Sequence, residues 1–222
     1  MTVQLIIACL LTALEGYLLG SIVFGLAVSR LIYHDDVRLH GSGNAGMTNI
    51  LRTYGKVPAV LTTLGDVGKS VAAVLIGRMI FTAFLGDSSV INPVCGAYLA
   101  AVCCILGHSR PIFFGFRGGK GVLVGAGAAL ATEPLVCLVL FVVFMIEFLI
   151  TRIVSLGSII IAALYPIVTL CYWAWKGTNA VSLVFITICS TIMGVYVIRL
   201  HRSNIERLKN GTEYRFGEKK KN

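Results

Sequence analysis

Charge is what this chain has least of. Only 13% of its 222 residues are Asp, Glu, Lys or Arg, with 10 acidic residues against 19 basic ones. With 57% hydrophobic residues and a mean hydropathy of +0.87, a water-soluble domain would have too little polar surface to cover itself. The composition is that of an integral membrane protein. The net charge of +9 then reports topology before it reports an acidic partner, so nucleic acid is not implied. Seven cysteines (Cys9, Cys95, Cys103, Cys104, Cys137, Cys171, Cys189) all fall in apolar runs without a C-x-x-C pair; they read as small buried hydrophobes, not a disulfide or zinc framework. Asp35, Asp36, Asp66 and Asp87 do not fall at metal-binding spacings, and no metal is expected. The leading apolar run lacks a basic n-region and a small-residue cleavage site, so it reads as a span and not a cleaved signal.

Long apolar runs, by contrast, are everywhere. A bilayer-crossing helix needs about 20 mostly apolar residues, and on that measure spans are predicted over Val3–Tyr33, Val57–Phe84, Val90–Leu106, Val122–Thr132, Leu135–Ile150, Leu156–Trp175 and Val181–Leu200. The fold class expected is all-α, polytopic, with seven transmembrane helices and one membrane-embedded domain over 1–222 ending in a basic tail from about 201. Basic residues test the count. With the N-terminus outside and the C-terminus cytoplasmic, every one of the 19 except Lys69, Arg78 and Lys176 falls inside, as the positive-inside rule demands. Glu15, Glu147 and the i, i+3 pair Asp66/Lys69 are charges within spans. A self-neutralising pair and a functional site are both open for the last.

Three inside loops and the tail hold the polar chemistry. Gly107–Gly121, GHSRPIFFGFRGGKG, sets Gly118, Gly119 and Lys120 just before an apolar helix, the ingredients of a phosphate cradle. It is not a Walker loop, because Gly121 stands where a hydroxyl is required. On these residues alone a basic loop that only sets orientation serves equally well. The first loop carries His40, Ser42, Asn44, Thr48 and Arg52; a helix over Ala45–Arg52 would put Thr48 and Arg52 on one face. Ser155 begins the sixth span, where it is also a plain N-cap. In the tail, His201 and Asn204 are three residues apart and would share a helical face.

Together these segments resemble the bacterial acyl-phosphate:glycerol-3-phosphate acyltransferases, the PlsY family. The similarity lies in GSIVFG from Gly20, GSGNAGMTNILR from Gly41, DVGKS from Asp66, the Gly107–Gly121 loop, SLGS from Ser155 and HRSNIERLKNGTE from His201, six motifs in order over nearly the whole chain. Departures are Val23 for the family's usual proline, Met47 for alanine and Ser70 for glycine.

The resemblance implies transfer of a fatty acyl group from acyl phosphate to the 1-hydroxyl of sn-glycerol 3-phosphate, giving lysophosphatidic acid and phosphate, the first acylation of bacterial phospholipid synthesis. It implies a multi-pass protein of the bacterial plasma membrane with a cytoplasmic site, no cofactor, membrane lipid as surroundings, and an upstream acyl-phosphate-forming enzyme as supplier. The implied catalytic residues are Ser42, Arg52, Ser155, His201 and Asn204, and the implied phosphate-binding residues Asn44, Arg52, His108, Gly118, Gly119 and Lys120. Arg52, Lys120 and backbone N–H groups of the glycine loop are expected to hold phosphate, and Asn204 or Ser155 to donate to the oxyanion. His201, His108 or a substrate phosphate oxygen would take the proton. Glu213 and the Asp66/Lys69 pair are expected as structural supports. No histidine here has an aspartate five residues on, so the H-x-x-x-x-D site of soluble-domain glycerolipid acyltransferases is missing.

Overall fold

A computed structural model describes residues 2–86 and 90–217. Asp87 and the tail lysines Lys219, Lys220 and Lys221, weighed above, lie outside the described residues. Those described form ten α-helices: α1 Thr2–Ser21, α2 Phe24–Tyr33, α3 Met47–Tyr54, α4 Lys56–Leu85, α5 Val94–Ser109, α6 Val122–Thr132, α7 Pro134–Thr151, α8 Val154–Trp175, α9 Ala180–Leu200 and α10 Arg202–Lys209. Six helical stretches are long and apolar enough to cross a membrane, with Thr2–Tyr33 and Val94–Phe114 each taken as one.

The fourth expected span, Val122–Thr132, is a helix with the expected bounds, but a short one. At 11 residues α6 rises about 16 Å, roughly half of a ~30 Å hydrocarbon core. Its end is set by Glu133, which separates α6 from α7 and is fully buried. The Glu133 carboxyl group accepts from Thr169 Oγ1 at 3.1 Å and from Trp173 Nε1 at 3.0 Å, so the chain turns where a buried acidic side chain finds donors. Pro134 then opens α7 at a position where its missing N–H costs nothing.

Small residues let the central helices touch backbone to backbone. Gly16 and Gly20 of α1 face Ala100 and Cys104 of α5, where an added Cβ would strike main-chain atoms. Gly77 of α4 and Gly96 of α5 meet in the same way. In lipid, where apolar side chains gain nothing by leaving one hydrocarbon for another, such close contact is the main source of helix association. Leu135, Leu138, Ile146 and Leu149 line the outer face of α7 and are exposed, as lipid-facing residues must be.

The first predicted span, over Val3–Tyr33, is not continuous; it breaks between Ser21 and Phe24. Lys69 explains the break. Its ammonium donates to the freed carbonyls of Gly20 at 3.1 Å and Ile22 at 2.7 Å, and pairs with Asp66 Oδ1 at 2.8 Å. The same Oδ1 accepts the N–H of Phe24 at the start of α2, at 3.4 Å. A cation thus sits at one helix C-terminus and an anion at the next N-terminus, the arrangement both dipoles favour. Val23, standing where the resembled family has proline, keeps the break without one.

Candidate active site

Asn49 ties the first loop together. Its Oδ1 accepts the N–H of Ser42 at 2.9 Å, while Nδ2 donates to the carbonyls of Val37, His40 and Asn44, each at 3.0 Å. Gly41 takes a left-handed φ of +56° beside it, where a side chain would collide with the Asn49 amide. A small core of Val23, Leu26, Val37, Ala45, Ile50 and Ala59 holds this loop onto α2 and α4. Ser42, Asn44, Thr48 and Arg52 then face one cavity. Arg52 lies 3.8 Å from the Tyr214 ring centroid, a cation–π stack that leaves its N–H groups without a hydrogen-bond partner among the described residues.

The glycine loop differs from its expected role. Gly118 N–H donates to Ser109 O and Gly119 N–H to His108 O, both at 3.1 Å. The two donors expected to meet phosphate are engaged in bending the loop back over the end of α5, and neither glycine lines the cavity. Glycine is needed there for closeness: a Cβ at Gly118 would strike His108 O, and one at Gly119 the His108 ring. What the loop delivers is Lys120. His108 itself is 3% exposed, with Nδ1 3.0 Å from the Lys69 ammonium. An ammonium can only donate, so Nδ1 supplies its lone pair and the proton of the neutral ring resides on Nε2.

A third wall comes from α8, α9, α10 and the tail. Glu213 Oε1 accepts from Ser155 Oγ and from Asn204 Nδ2, both at 2.7 Å, and Oε2 pairs with Arg207 Nε at 2.6 Å. The remaining face of Asn204 is used too: Lys120 Nζ donates to its Oδ1. His201 is the hinge between α9 and α10, and its Nδ1 lies 2.8 Å from Val197 O. A carbonyl only accepts, which places a proton on Nδ1 and leaves Nε2 with the lone pair. His201 and His108 are thus opposite tautomers.

Burial shifts the charges here. It lowers the Lys120 ammonium to about 8, with Arg207 and Arg52 adding to the effect, and lowers His201 to about 4. Hydrogen bonds from Ser155, Asn204 and Arg207 outweigh burial at Glu213 and keep its carboxyl below the usual range.

All these groups line one cavity of about 1040 Å³. Among its lining groups Asp66 is paired with Lys69 and Glu213 with Arg207, which leaves Arg52 and Lys120 as cations without a carboxylate partner. The depth of the cavity is apolar, walled by residues such as Ala126, Leu140, Ile161, Ala162 and Met193 between α6, α7, α8 and α9. An amphiphile with an anionic head and an alkyl tail matches that division.

The sequence matches a family model described as Glycerol-3-phosphate acyltransferase over residues 10–211. The chain belongs to this family. Glycerol-3-phosphate acyltransferases of Clostridioides difficile (strain 630) and Thermosynechococcus vestitus are 41% and 40% identical, over 97% and 93% of this chain and 98% and 94% of theirs. The crystal structure of PlsY (YgiH), an integral membrane glycerol 3-phosphate acyltransferase, is similar in its glycerol 3-phosphate form at a TM-score of 0.77 with 35% identity. That match covers 94% of this chain and 96% of the other. The lysophosphatidic acid form scores 0.74 at 34% identity, covering 94% and 95%.

Within this glycerol-3-phosphate acyltransferase family member, Ser42, Asn44, Arg52, His108, Lys120, Ser155, His201 and Asn204 all reach the cavity. Three residues have more part in the site than the sequence suggested. Asn49 knots the first loop, Tyr214 carries Arg52, and Glu213 orients Ser155, Asn204 and Arg207 together. The signal for Glu213 is Gly211, whose φ of +68° ends α10 and folds the tail back; a glycine after a short amphipathic helix marks such a return.

Proposed function

We propose that the protein transfers a fatty acyl group from acyl phosphate to the 1-hydroxyl of sn-glycerol 3-phosphate, forming lysophosphatidic acid and inorganic phosphate. The observation that carries this reading is the division of one cavity into a cationic mouth and an apolar depth. Two phosphorylated substrates need more than one cation, and Arg52 and Lys120 supply two, with Arg207 beside them on Glu213. The alkyl tail of the donor takes the depth.

In the reaction the glycerol hydroxyl oxygen attacks the acyl carbonyl carbon, and the carbon–oxygen bond to phosphate breaks as phosphate leaves with the electron pair. A mixed anhydride is already activated, so orientation and neutralisation of charge are what the site must add. Arg52 and Lys120 hold phosphate oxygens. Asn204 Nδ2, which keeps a second N–H after its bond to Glu213, would donate to the developing oxyanion; the single proton of Ser155 Oγ is already given to Glu213, so Ser155 serves by fixing that carboxylate. Of the two histidines, only His201 has its ring lone pair uncommitted, at Nε2; that of His108 is taken by Lys69. The proton therefore goes to His201 or to a phosphate oxygen of substrate. Gly118 and Gly119 act as shapers of the loop.

The same reading treats 1–222 as one membrane-embedded acyltransferase domain of the bacterial plasma membrane, with α6 counted as a seventh crossing, the N-terminus outside and the site cytoplasmic. In its support, the beginnings of α6 and α8 and the end of α9 meet at the mouth, with the basic segments around them. Thr2→Cys and Lys209→Cys should label from opposite sides of sealed cells; labelling from one side contradicts seven crossings. An upstream acyl-phosphate-forming enzyme would supply the donor. To test the activity, purified protein is given glycerol 3-phosphate with palmitoyl phosphate or palmitoyl coenzyme A. Lysophosphatidic acid from the acyl phosphate alone is expected, and product from the thioester alone would overturn the choice of donor.

A further inference from the structure

The apolar depth of the cavity has a definite floor. The outermost lining residues are Ala129 of α6, Cys137 of α7, Tyr165 of α8 and Met193 of α9. Immediately beyond Tyr165 the bundle becomes polar. The Glu133 carboxyl group is fully buried there, with Thr169 Oγ1 at 3.1 Å and Trp173 Nε1 at 3.0 Å, and Trp173 Nε1 also donates to Tyr98 Oη at 2.8 Å. The Tyr98 and Tyr165 hydroxyls face the same carboxyl group. The cluster joins α5, α8 and the α6–α7 turn, and Tyr165 is the member that also looks into the cavity.

We infer that Tyr165, backed by the Glu133 cluster, is the stop that sets the acyl-chain length this protein accepts. The inference rests on the acyl-transfer reading above and adds a specificity determinant to it. A methyl terminus pushed past the Tyr165 ring would have to part hydrogen bonds on a buried carboxyl group. That loss exceeds what one more buried methylene returns. Two helices and the α6–α7 turn pin the floor, so it does not retreat.

The depth can be measured along α8. Ser155, Ser158, Ala162 and Tyr165 all line the cavity, at helical spacing along one stripe, and from Ser155 to Tyr165 the helix rises about 15 Å at ~1.5 Å per residue. An extended alkyl chain advances about 1.25 Å per carbon, given a carbon–carbon bond of about 1.5 Å and tetrahedral angles. The slot therefore holds about twelve methylenes, which with the carbonyl and the terminal methyl describes a tetradecanoyl chain.

The experiment is a profile of kcat/KM over saturated acyl phosphates from decanoyl to octadecanoyl, with glycerol 3-phosphate as acceptor. The unaltered protein should rise to a maximum near tetradecanoyl and fall severalfold by octadecanoyl. Tyr165→Ala should move the maximum to longer chains and Ala162→Leu, one turn nearer the mouth, to shorter ones, with KM for glycerol 3-phosphate unchanged in both. Tyr165→Phe retains the ring and should retain the maximum. If Tyr165→Ala does not fold, Ala162→Leu decides alone. A profile flat from tetradecanoyl to octadecanoyl, or a maximum that Ala162→Leu does not move, overturns the stop while leaving acyl transfer intact. Absence of product with every acyl phosphate overturns the acyl-transfer reading, and the stop with it.

Discussion

His201 and His108 both stood as candidate bases, and their ring partners separate them. His108 gives its lone pair to Lys69, whereas His201 hydrogen-bonds a carbonyl through Nδ1 and keeps the Nε2 lone pair. With His201 lowered to about 4, it is neutral at and above its ordinary titration range. The pH dependence of kcat/KM, which reports the free enzyme, should then lack an imidazole limb between about 5 and 7. It should instead fall as pH rises through about 8, because Lys120 is charged below that value and loses its proton above it. In kcat that limb should move higher, since bound phosphate favours the ammonium. The substrate phosphates themselves titrate near about 6, so a limb in that range that His201→Ala removes would contradict the assignment. Glu213 supports a second expectation. Removing it in Glu213→Ala leaves Ser155 and Asn204 without their shared acceptor, and misplacement of about 1 Å at a reacting centre costs about 100-fold. Initial rates should drop by about that factor at saturating substrate; a change of less than threefold would return Glu213 to a purely supporting role.

At the scale of elements, the break between α1 and α2 has the clearest cause. Lys69 answers two orphan carbonyls and Asp66 one N–H, so removing only the lysine strands a buried carboxylate as well as the helix end. Lys69→Met should destabilise the fold by about 3–5 kcal/mol, the usual cost of breaking a buried pair from one side. Val23→Pro should be neutral or slightly stabilising, because Val23 has φ −86° outside either helix, close to what proline fixes. Thermal unfolding in detergent compares the two; a Lys69→Met protein as stable as the parent would contradict this account of the break. Helix existence was legible from apolar run length, and the predicted bounds of α6 coincide with the observed ones. The break was not, because Gly20–Gly25 is continuously apolar apart from Ser21, and its cause is a lysine more than forty positions away. The shortness of α6 was legible, since its predicted bounds hold only 11 residues before Pro134, but its cause was not: Glu133 looks like an ordinary loop acid until Thr169 and Trp173 are folded against it.

Over the whole molecule, the polar residues of the site were legible as types and motifs but not as a geometry. Eight of the ten predicted site residues reach one cavity because the ends of α5, α8 and α9 and two loops converge at one end of the bundle. Gly118 and Gly119 fall out because a sequence cannot tell which backbone N–H groups a loop will use internally. On the proposed acyl-transfer reading, the convergence has one central chemical consequence: donor and acceptor would react directly, without an acyl-enzyme. The most direct measurement is rapid mixing of purified protein with palmitoyl phosphate, first without and then with glycerol 3-phosphate, following inorganic phosphate and lysophosphatidic acid. Direct transfer predicts no phosphate burst until the acceptor is added, and thereafter one phosphate per lysophosphatidic acid; a burst stoichiometric with protein in the absence of acceptor would reveal an acyl-enzyme and contradict it.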